Sequence, residues 1–333
     1  MVKMPEIDQK YIQDKFIEYC KVNTRSDEQS TAVPTTAGQV DLLKIIEKEL
    51  EKLGLEDISF SEEDSYLVGK LKKTTNKEVT PIGFVAHVDT ADFNAENIKP
   101  LIHQNYDGKD IFLKERRVLS TSEFPSLKKH LGETLITADG TTLLGADDKA
   151  GIAGLLGMLK SLKENPDLEH GDIWVAFGPD EEIGKGAARF NVERFPVEFA
   201  YTLDNGDPGD IAFETFNAAA ATIDFHGTVV HPGEAYGLMV NAALMASEFI
   251  QALPASEVPE NSKDFDGYFM ILSNNGNVDH AKIRLIIRDF DTDGFEQKKK
   301  LITSTVDKLN KKYGANRVTF EMHDQYHSPG DLI

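Results

Sequence analysis

Four short stretches put carboxylates and one imidazole at the ends of apolar runs or at the start of a helical pattern. They are Ala86-His87-Val88-Asp89-Thr90, Gly145 through Gly151 around Asp147-Asp148, Pro179-Asp180-Glu181-Glu182, and Tyr201-Thr202-Leu203-Asp204. Mixed imidazole and carboxylate donors suit zinc, manganese or cobalt. Two cations held close together need a bridging carboxylate and terminal His, Asp or Glu ligands. A further carboxylate has to stay off the metals and accept a proton from water. Glu181 and Glu182 are adjacent, so their side chains point apart and can divide those tasks. Asp89, two residues beyond His87, is placed to orient the imidazole from behind.

Each stretch alone also has a plainer reading. His87 and Asp89 could be a hydrogen-bonded pair, and Asp147-Asp148 could complement a helix dipole. Asp180-Glu181-Glu182 could be a solvated acidic turn, and Asp204 could belong to turn chemistry around Asn205-Gly206-Asp207-Pro208-Gly209. Taken together, acids at successive strand ends point to hydrolytic metal chemistry. Magnesium-dependent phosphoryl transfer is the rival, but magnesium prefers oxygen ligands to an imidazole. The chain also has no Gly-rich phosphate loop ending in Lys-Ser or Lys-Thr.

The elements that must position these residues follow from periodicity. Amphipathic helices are expected over Tyr11–Tyr19 and Thr36–Leu53, the second stopped by Gly54. Residues 58–71 read as a β-hairpin, Ile82–Ala86 as a buried strand with His87 at its C-terminal end, and 92–132 as an irregular excursion. Asp147 and Asp148 precede a helix with Ile152, Leu155, Leu156, Leu159 and Leu162 on its inner face. Ile173–Phe177 and Phe199–Leu203 are strands that lead into Asp180 and Asp204. This alternation implies an α/β domain, a largely parallel sheet with helices on both faces. In such sheets ligands bind beyond the carboxyl ends of the strands. From about Phe216 the predicted order is strand, helix, two strands, helix, strand, which is the ferredoxin-like α+β pattern.

A chain of 333 residues fits two domains. A net charge of −20 argues against binding to nucleic acid or to an anionic membrane surface. Cys20 is the only cysteine, which excludes an intrachain disulfide and favours a reducing compartment. The N-terminus shows no apolar signal core and no run approaches a membrane span, so the expectation is a cytoplasmic protein.

These motifs resemble the dizinc exopeptidase superfamily, which shares His-x-Asp and Asp-x-Lys elements. The longer strings resemble its aminotripeptidase family, peptidase T: Leu135–Gly140, Leu143–Gly151, Val175–Gly186, His231-Pro232-Gly233 and Ile286–Asp291. The resemblance runs from the first helix to about residue 322. It implies a zinc-exopeptidase-like catalytic domain over 1–215, a lid and dimerisation domain over 216–325, and a non-matching tail over 326–333. It further implies two zinc ions, with His87 and Asp204 on one, Asp147 bridging and Glu182 on the second. Glu181 would be the general base and Asp89 the acid that orients His87. His231 would stabilise the oxyanion, often in the partner subunit's site, and Arg288 would contact substrate.

The implied reaction is attack by a zinc-bound hydroxide on a tripeptide, releasing the N-terminal residue. Homodimerisation through the lid is implied too. Deacylation of N-acyl amino acids is the alternative activity in the same superfamily. A non-catalytic relative acting as a dimeric binding module is the alternative outside enzymology. Family members continue past the lid with an Arg-Gly-Gly-Thr-Asp-Gly segment and a histidine that completes the second zinc site. Residues Tyr326–Ile333 do not match this, and neither His323 nor His327 stands in a matching context. The expectation is therefore an incomplete catalytic domain whose second zinc site lacks that histidine.

Overall fold

The computed structural model describes residues 5, 7–204, 206, 209–212 and 215–328. Its contacts divide the chain into two compact units, Met1–Pro208 and Gly209–Ile333. Part of the expected 326–333 tail, residues 329–333, lies outside the described residues, as do Asn205, Asp207 and Pro208 of the turn after Asp204.

In the first unit, helix α1 (Gln9–Cys20) starts where the Asp8 carboxylate accepts a hydrogen bond from Tyr11 N, and it buries Phe16, Tyr19 and Cys20. The Cys20 thiol lies 4.0 Å from the carbonyl oxygen of Gly145. Helix α2 (Ala37–Leu53) buries Leu42, Leu43, Ile46 and Leu50 on one stripe and ends at Gly54, whose φ of 72° is the left-handed conformation a helix C-cap needs. Strands β1 (Glu56–Phe60) and β2 (Leu67–Leu71) form the expected hairpin, and β3 (Ile82–His87) follows. The excursion after residue 92 is less irregular than its sequence implies. Strand β4 (Leu101–His103) pairs with β7 (Leu135–Thr137), and β5 (Ile111–Phe112) pairs with β6 (Val118–Leu119). Helix α3 (Ala146–Glu164) leads to β8 (Ile173–Gly178) and then β9 (Phe199–Thr202).

The main sheet runs β1-β2-β8-β3-β9. Strand β3 is parallel to β8 and to β9, whereas β2 is antiparallel to β8 and to β1. The sheet is thus mixed, and the expected parallel character is confined to β8, β3 and β9. The reason is local, because a short hairpin connection can only bring its strands back antiparallel. The placement of helices also needs correction. Helices α1, α2 and α3 share one core with Leu67, Ala86, Val175 and Phe177. Alternate residues of the same strands, Val68 and Ala176, face a smaller cluster with Tyr66, Trp174, Phe190 and Phe195. Among the described residues that second face is covered by aromatic side chains and short 3-10 turns rather than by α-helices. Gly178 belongs to this packing, since a Cβ there would stand 2.1 Å from the Tyr66 ring.

The second unit has the ferredoxin-like order: β10 (Asn217–His226), α4 (Ala242–Ala252), β11 (Tyr268–Gly276), β12 (His280–Asp289), α5 (Thr292–Tyr313) and β13 (Val318–Tyr326). Its sheet is antiparallel throughout in the order β11-β12-β10-β13. Strand alternation is strict where it counts: Ala219, Ala221, Ile223 and Phe225 of β10 and Ala281, Ile283, Leu285 and Ile287 of β12 all point into one core. Met245 and Phe249 of α4 and Phe295, Ile302 and Val306 of α5 close it.

Candidate metal centre

Register brings the acidic stretches together. His87 is the last residue of β3 and lies beside Gly178, the last of β8, so Asp180-Glu181-Glu182 emerge next to it. Strand β9 pairs along the other side of β3 as far as Val85 and Thr202, which carries Asp204 to the same end of the sheet. Asp147 enters from the first turn of α3, where its φ of −80° and ψ of 112° depart from helical values.

One ligand atom from each of His87, Asp147 and Asp204 can be chosen so that all lie within 4.8 Å of one another. The His87 Nε2 atom is 2.8 Å from Asp147 Oδ1, 3.6 Å from Asp204 Oδ2 and 3.8 Å from Glu181 Oε2. The other ring nitrogen, Nδ1, faces the Asp89 carbonyl at 3.1 Å and the Asp89 carboxylate at 3.3 Å. Both are acceptors, so Nδ1 carries a proton and donates it. In the neutral ring this leaves the Nε2 lone pair directed at the carboxylates, as a metal ligand requires.

The Asp89 carboxylate is buried and has a second task. Its oxygens accept from the backbone N–H groups of Glu181, at 2.9 Å, and Glu182, at 3.1 Å. One side chain therefore fixes both the imidazole and the start of the glutamate pair. Glu182 joins the site through this backbone bond, and its carboxylate is outside the compact three-residue group.

The electrostatics describe a cluster short of positive charge. Burial opposes a charged imidazole at His87, but Asp89, Asp148 and Asp204 outweigh it and raise its pKa to about 10. Burial pushes Asp148 up to about 8; charge on His87 opposes this, and Asp204 and Asp147 reinforce it. Burial raises Glu181, Glu182 and Asp204; the charges of Asp147 and Asp89 add to this in all three, and His87 opposes it. Among the described residues no lysine or arginine forms an ion pair with these acids, and His87 is the one cationic partner recorded. A divalent cation with oxygen and nitrogen donors around it would relieve that repulsion, so the donor set fits zinc or a related metal.

Sequence reasoning missed the residues that hold this arrangement from behind. Asp148 is buried and accepts from His87 N at 3.3 Å. Lys149 is wholly buried, donates to the Val22 carbonyl at 2.9 Å, and has its pKa lowered to about 8 by desolvation. Asp180 is buried against Thr35 and Gln39. The signals for the first two were their adjacency to Asp147 and the Asp-x-Lys element that Asp147 and Lys149 form.

The remaining two site candidates lie in the second unit. His231 is exposed on a turn, and its Nδ1 accepts from Gly233 N at 3.1 Å, which leaves Nε2 as a donor in the neutral ring. Arg288 on β12 donates to the Ile287 carbonyl at 2.9 Å and to Gln325 Oε1 at 3.0 Å. Its guanidinium is 5.3 Å from the Phe216 ring centroid and 5.7 Å from that of Tyr326.

Comparison with known proteins gives consistent results. A family model described as a peptidase dimerisation domain matches residues 213–317. Peptidase T of Fusobacterium nucleatum is 46% identical over 324 residues, covering 97% of this chain and 78% of the relative. The crystal structure of aminopeptidase PepT from Bacillus cereus superposes with a TM-score of 0.74 at 23% identity, over 97% of this chain and 77% of that one. A tripeptidase from Staphylococcus aureus gives 0.75 at 21% identity, over 98% and 78%. These two structures establish the fold, and the sequence relative carries the likeness further.

Proposed function

Since this chain belongs to the peptidase T family of M20 metallo-aminopeptidases, we propose that it releases the N-terminal residue of tripeptides and that its metal is zinc. The observation that carries the reading is the convergence of His87, Asp147 and Asp204 at the C-terminal end of the parallel strands. In this reading His87, Asp204 and Asp147 would hold one zinc ion, and Asp147 and Glu182 would hold a second. Bound zinc would supply Lewis acidity, lowering the pKa of a water molecule and polarising the scissile carbonyl.

The chain's own residues do the rest. Glu181 has its carboxylate 3.8 Å from His87 Nε2 and pairs with no lysine or arginine among the described residues, and burial raises its pKa towards the range of an effective general base. Its carboxylate takes a proton from water and passes it to the leaving amine. Asp89 holds the Nδ1 proton of His87 and keeps the ring in one tautomer. His231, a donor at Nε2, is assigned to the developing oxyanion and Arg288 to a substrate contact. The reading includes a catalytic region over 1–215, a lid over 216–325 that forms a homodimer, and a cytoplasmic setting. Among the described residues no helix is long and apolar enough to cross a membrane.

The test is hydrolysis of an unblocked tripeptide by the purified chain with zinc or cobalt supplied, beside Glu181→Ala and an N-acetylated tripeptide. The expected result is release of the N-terminal amino acid by the parent chain, none by the variant, and none from the blocked peptide. Cleavage of the blocked peptide alone would replace the aminopeptidase by the deacylase. No turnover of either from a folded protein would refute the reading for this chain.

A further inference from the structure

Asp180 precedes the glutamate pair and has no obvious employment in the chemistry. It is 1% exposed and adopts a φ of 56°, in the left-handed region. Its carboxylate accepts from Thr35 N at 2.9 Å, from the Thr35 hydroxyl, and from Gln39 Nε2 at 2.7 Å. Its own N–H donates to Gln39 Oε1 at 3.1 Å. Thr35 and Gln39 are buried as well. All of these partners are neutral, and among the described residues no lysine or arginine pairs with the carboxylate. A buried carboxylate without a cation is normally a liability. Here the charge is tolerated because it sits at the N-terminal end of α2, where helix backbone dipoles favour an anion.

Three donors converge on acceptor atoms, so the site is shaped for a carboxylate and not for an amide. The loop beyond is closed on the same residue, with the Asp180 carbonyl accepting from Lys185 N at 3.0 Å and Gly186 N at 3.1 Å. Lys185 Nζ then ties the far side to the Glu28 carbonyl at 2.9 Å. From the other direction the Asp89 carboxylate holds Glu181 N and Glu182 N. The dipeptide Glu181-Glu182 is thus gripped between two buried aspartates, one bound to the His87 ring and one bound to the start of α2.

We propose that Thr35, Gln39 and Asp180 form a positioning network that sets where the Glu181 and Glu182 carboxylates stand relative to His87. The proposal rests on the roles assigned to those glutamates above, and it adds Thr35, just ahead of α2, and Gln39, in the first turn of α2, to the functional apparatus. None of the three touches substrate; they act through the backbone of the loop.

The test compares the parent chain with Thr35→Val, Thr35→Ser and Gln39→Met, reading tripeptide kcat and KM, the visible spectrum of the cobalt(II)-loaded protein, zinc affinity by calorimetry, and thermal melting. Thr35→Val should lower kcat by about 10–100-fold, the range typical of residues that orient a metal site from outside, with KM unchanged. It should also alter the cobalt spectrum, and Thr35→Ser should restore both. Gln39→Met gives the same direction and stands in should Thr35→Val fold poorly, because Met fills a buried site adaptably. A parent-like kcat and cobalt spectrum in Thr35→Val and Gln39→Met overturns the proposal, as does a Thr35→Ser variant as impaired as Thr35→Val. Were the parent chain to hydrolyse no peptide, the aminopeptidase reading would fall. The cobalt spectrum and zinc affinity would then decide this proposal alone, supporting it if the variants change them and overturning it if they do not.

Discussion

Both units pair buried carboxylates with a basic side chain, but the first departs from this at its strand ends. In the second unit Asp289 is met by Lys298 at 2.8 Å, and both side chains are largely hidden. Away from the strand ends the first unit does the same: Asp64 is paired with Arg194 at 2.9 Å, and Glu49 with Lys15 at 2.9 Å. At the strand ends this rule stops. Asp147, Asp204 and Glu181 converge on one imidazole, and Asp148 stands behind it with its carboxyl pushed up by burial. An acid furnished with its own cation is part of the scaffold, whereas acids gathered around a shortage of positive charge are a site for a cation from outside.

That contrast can be broken, most severely by taking the outside cation away. A chelator should reduce peptide hydrolysis to background, with recovery on adding zinc or cobalt, while far-ultraviolet circular dichroism shows the fold retained. Activity that survives chelation would put the acids back among scaffold groups. Next in size, Glu181→Gln should lower kcat by about 10²–10⁴-fold, the usual span for a general base, with zinc binding by calorimetry preserved. Loss of metal in that variant would make Glu181 a ligand instead of a base.

The same contrast predicts the reverse behaviour for Asp289. Lys298→Met should destabilise the protein by about 3–5 kcal/mol in urea titration, because the carboxylate is left buried without its partner. Turnover per folded molecule should stay at the parent level. The smallest effect is a pH dependence confined to the metal-free protein. The pKa of His87 is raised from 6.5 to about 10 and that of Asp148 from 3.8 to about 8, so the folded state binds more protons than the unfolded state between these limits. Stability is then greatest on the acidic side and is lost as pH rises through 8 to 10. Melting temperature without metal should fall over that interval, and saturating zinc should flatten the slope by taking the place of the protons.

How much of this could be read from the chain depends on how far each signal travels. His87 was legible because an apolar strand ends on it, and Asp147 because two acids open a helix. The second unit was legible almost element by element, since Ile283, Leu285 and Ile287 alternate and helices α4 and α5 repeat at helical spacing. What stayed hidden is what depends on distant partners. Thr35 and Gln39 are 145 and 141 positions from the Asp180 they hold, and no periodicity links them. The mixed sheet was hidden too, because a run such as Ile173–Phe177 buries both faces whether its neighbour is parallel or antiparallel. The aromatic cover of Phe190 and Phe195 came from a segment with too little regular pattern to place.

The buried cysteine of α1 leaves the protein without a reactive thiol of its own. Cys20 is the chain's only thiol, it is fully shielded, and burial pushes its pKa up to about 12. Thiolate is the reactive form, so maleimide or nitroxide reagents at neutral pH have almost nothing native to attack. The protein is a ready background for site-directed labelling. A cysteine introduced at an exposed position of each unit, such as Gln9 and Tyr236, would carry a donor–acceptor or spin pair without first deleting the native residue. Distances between such labels, measured with and without zinc and peptide, would test whether the spacing of the two units responds to either.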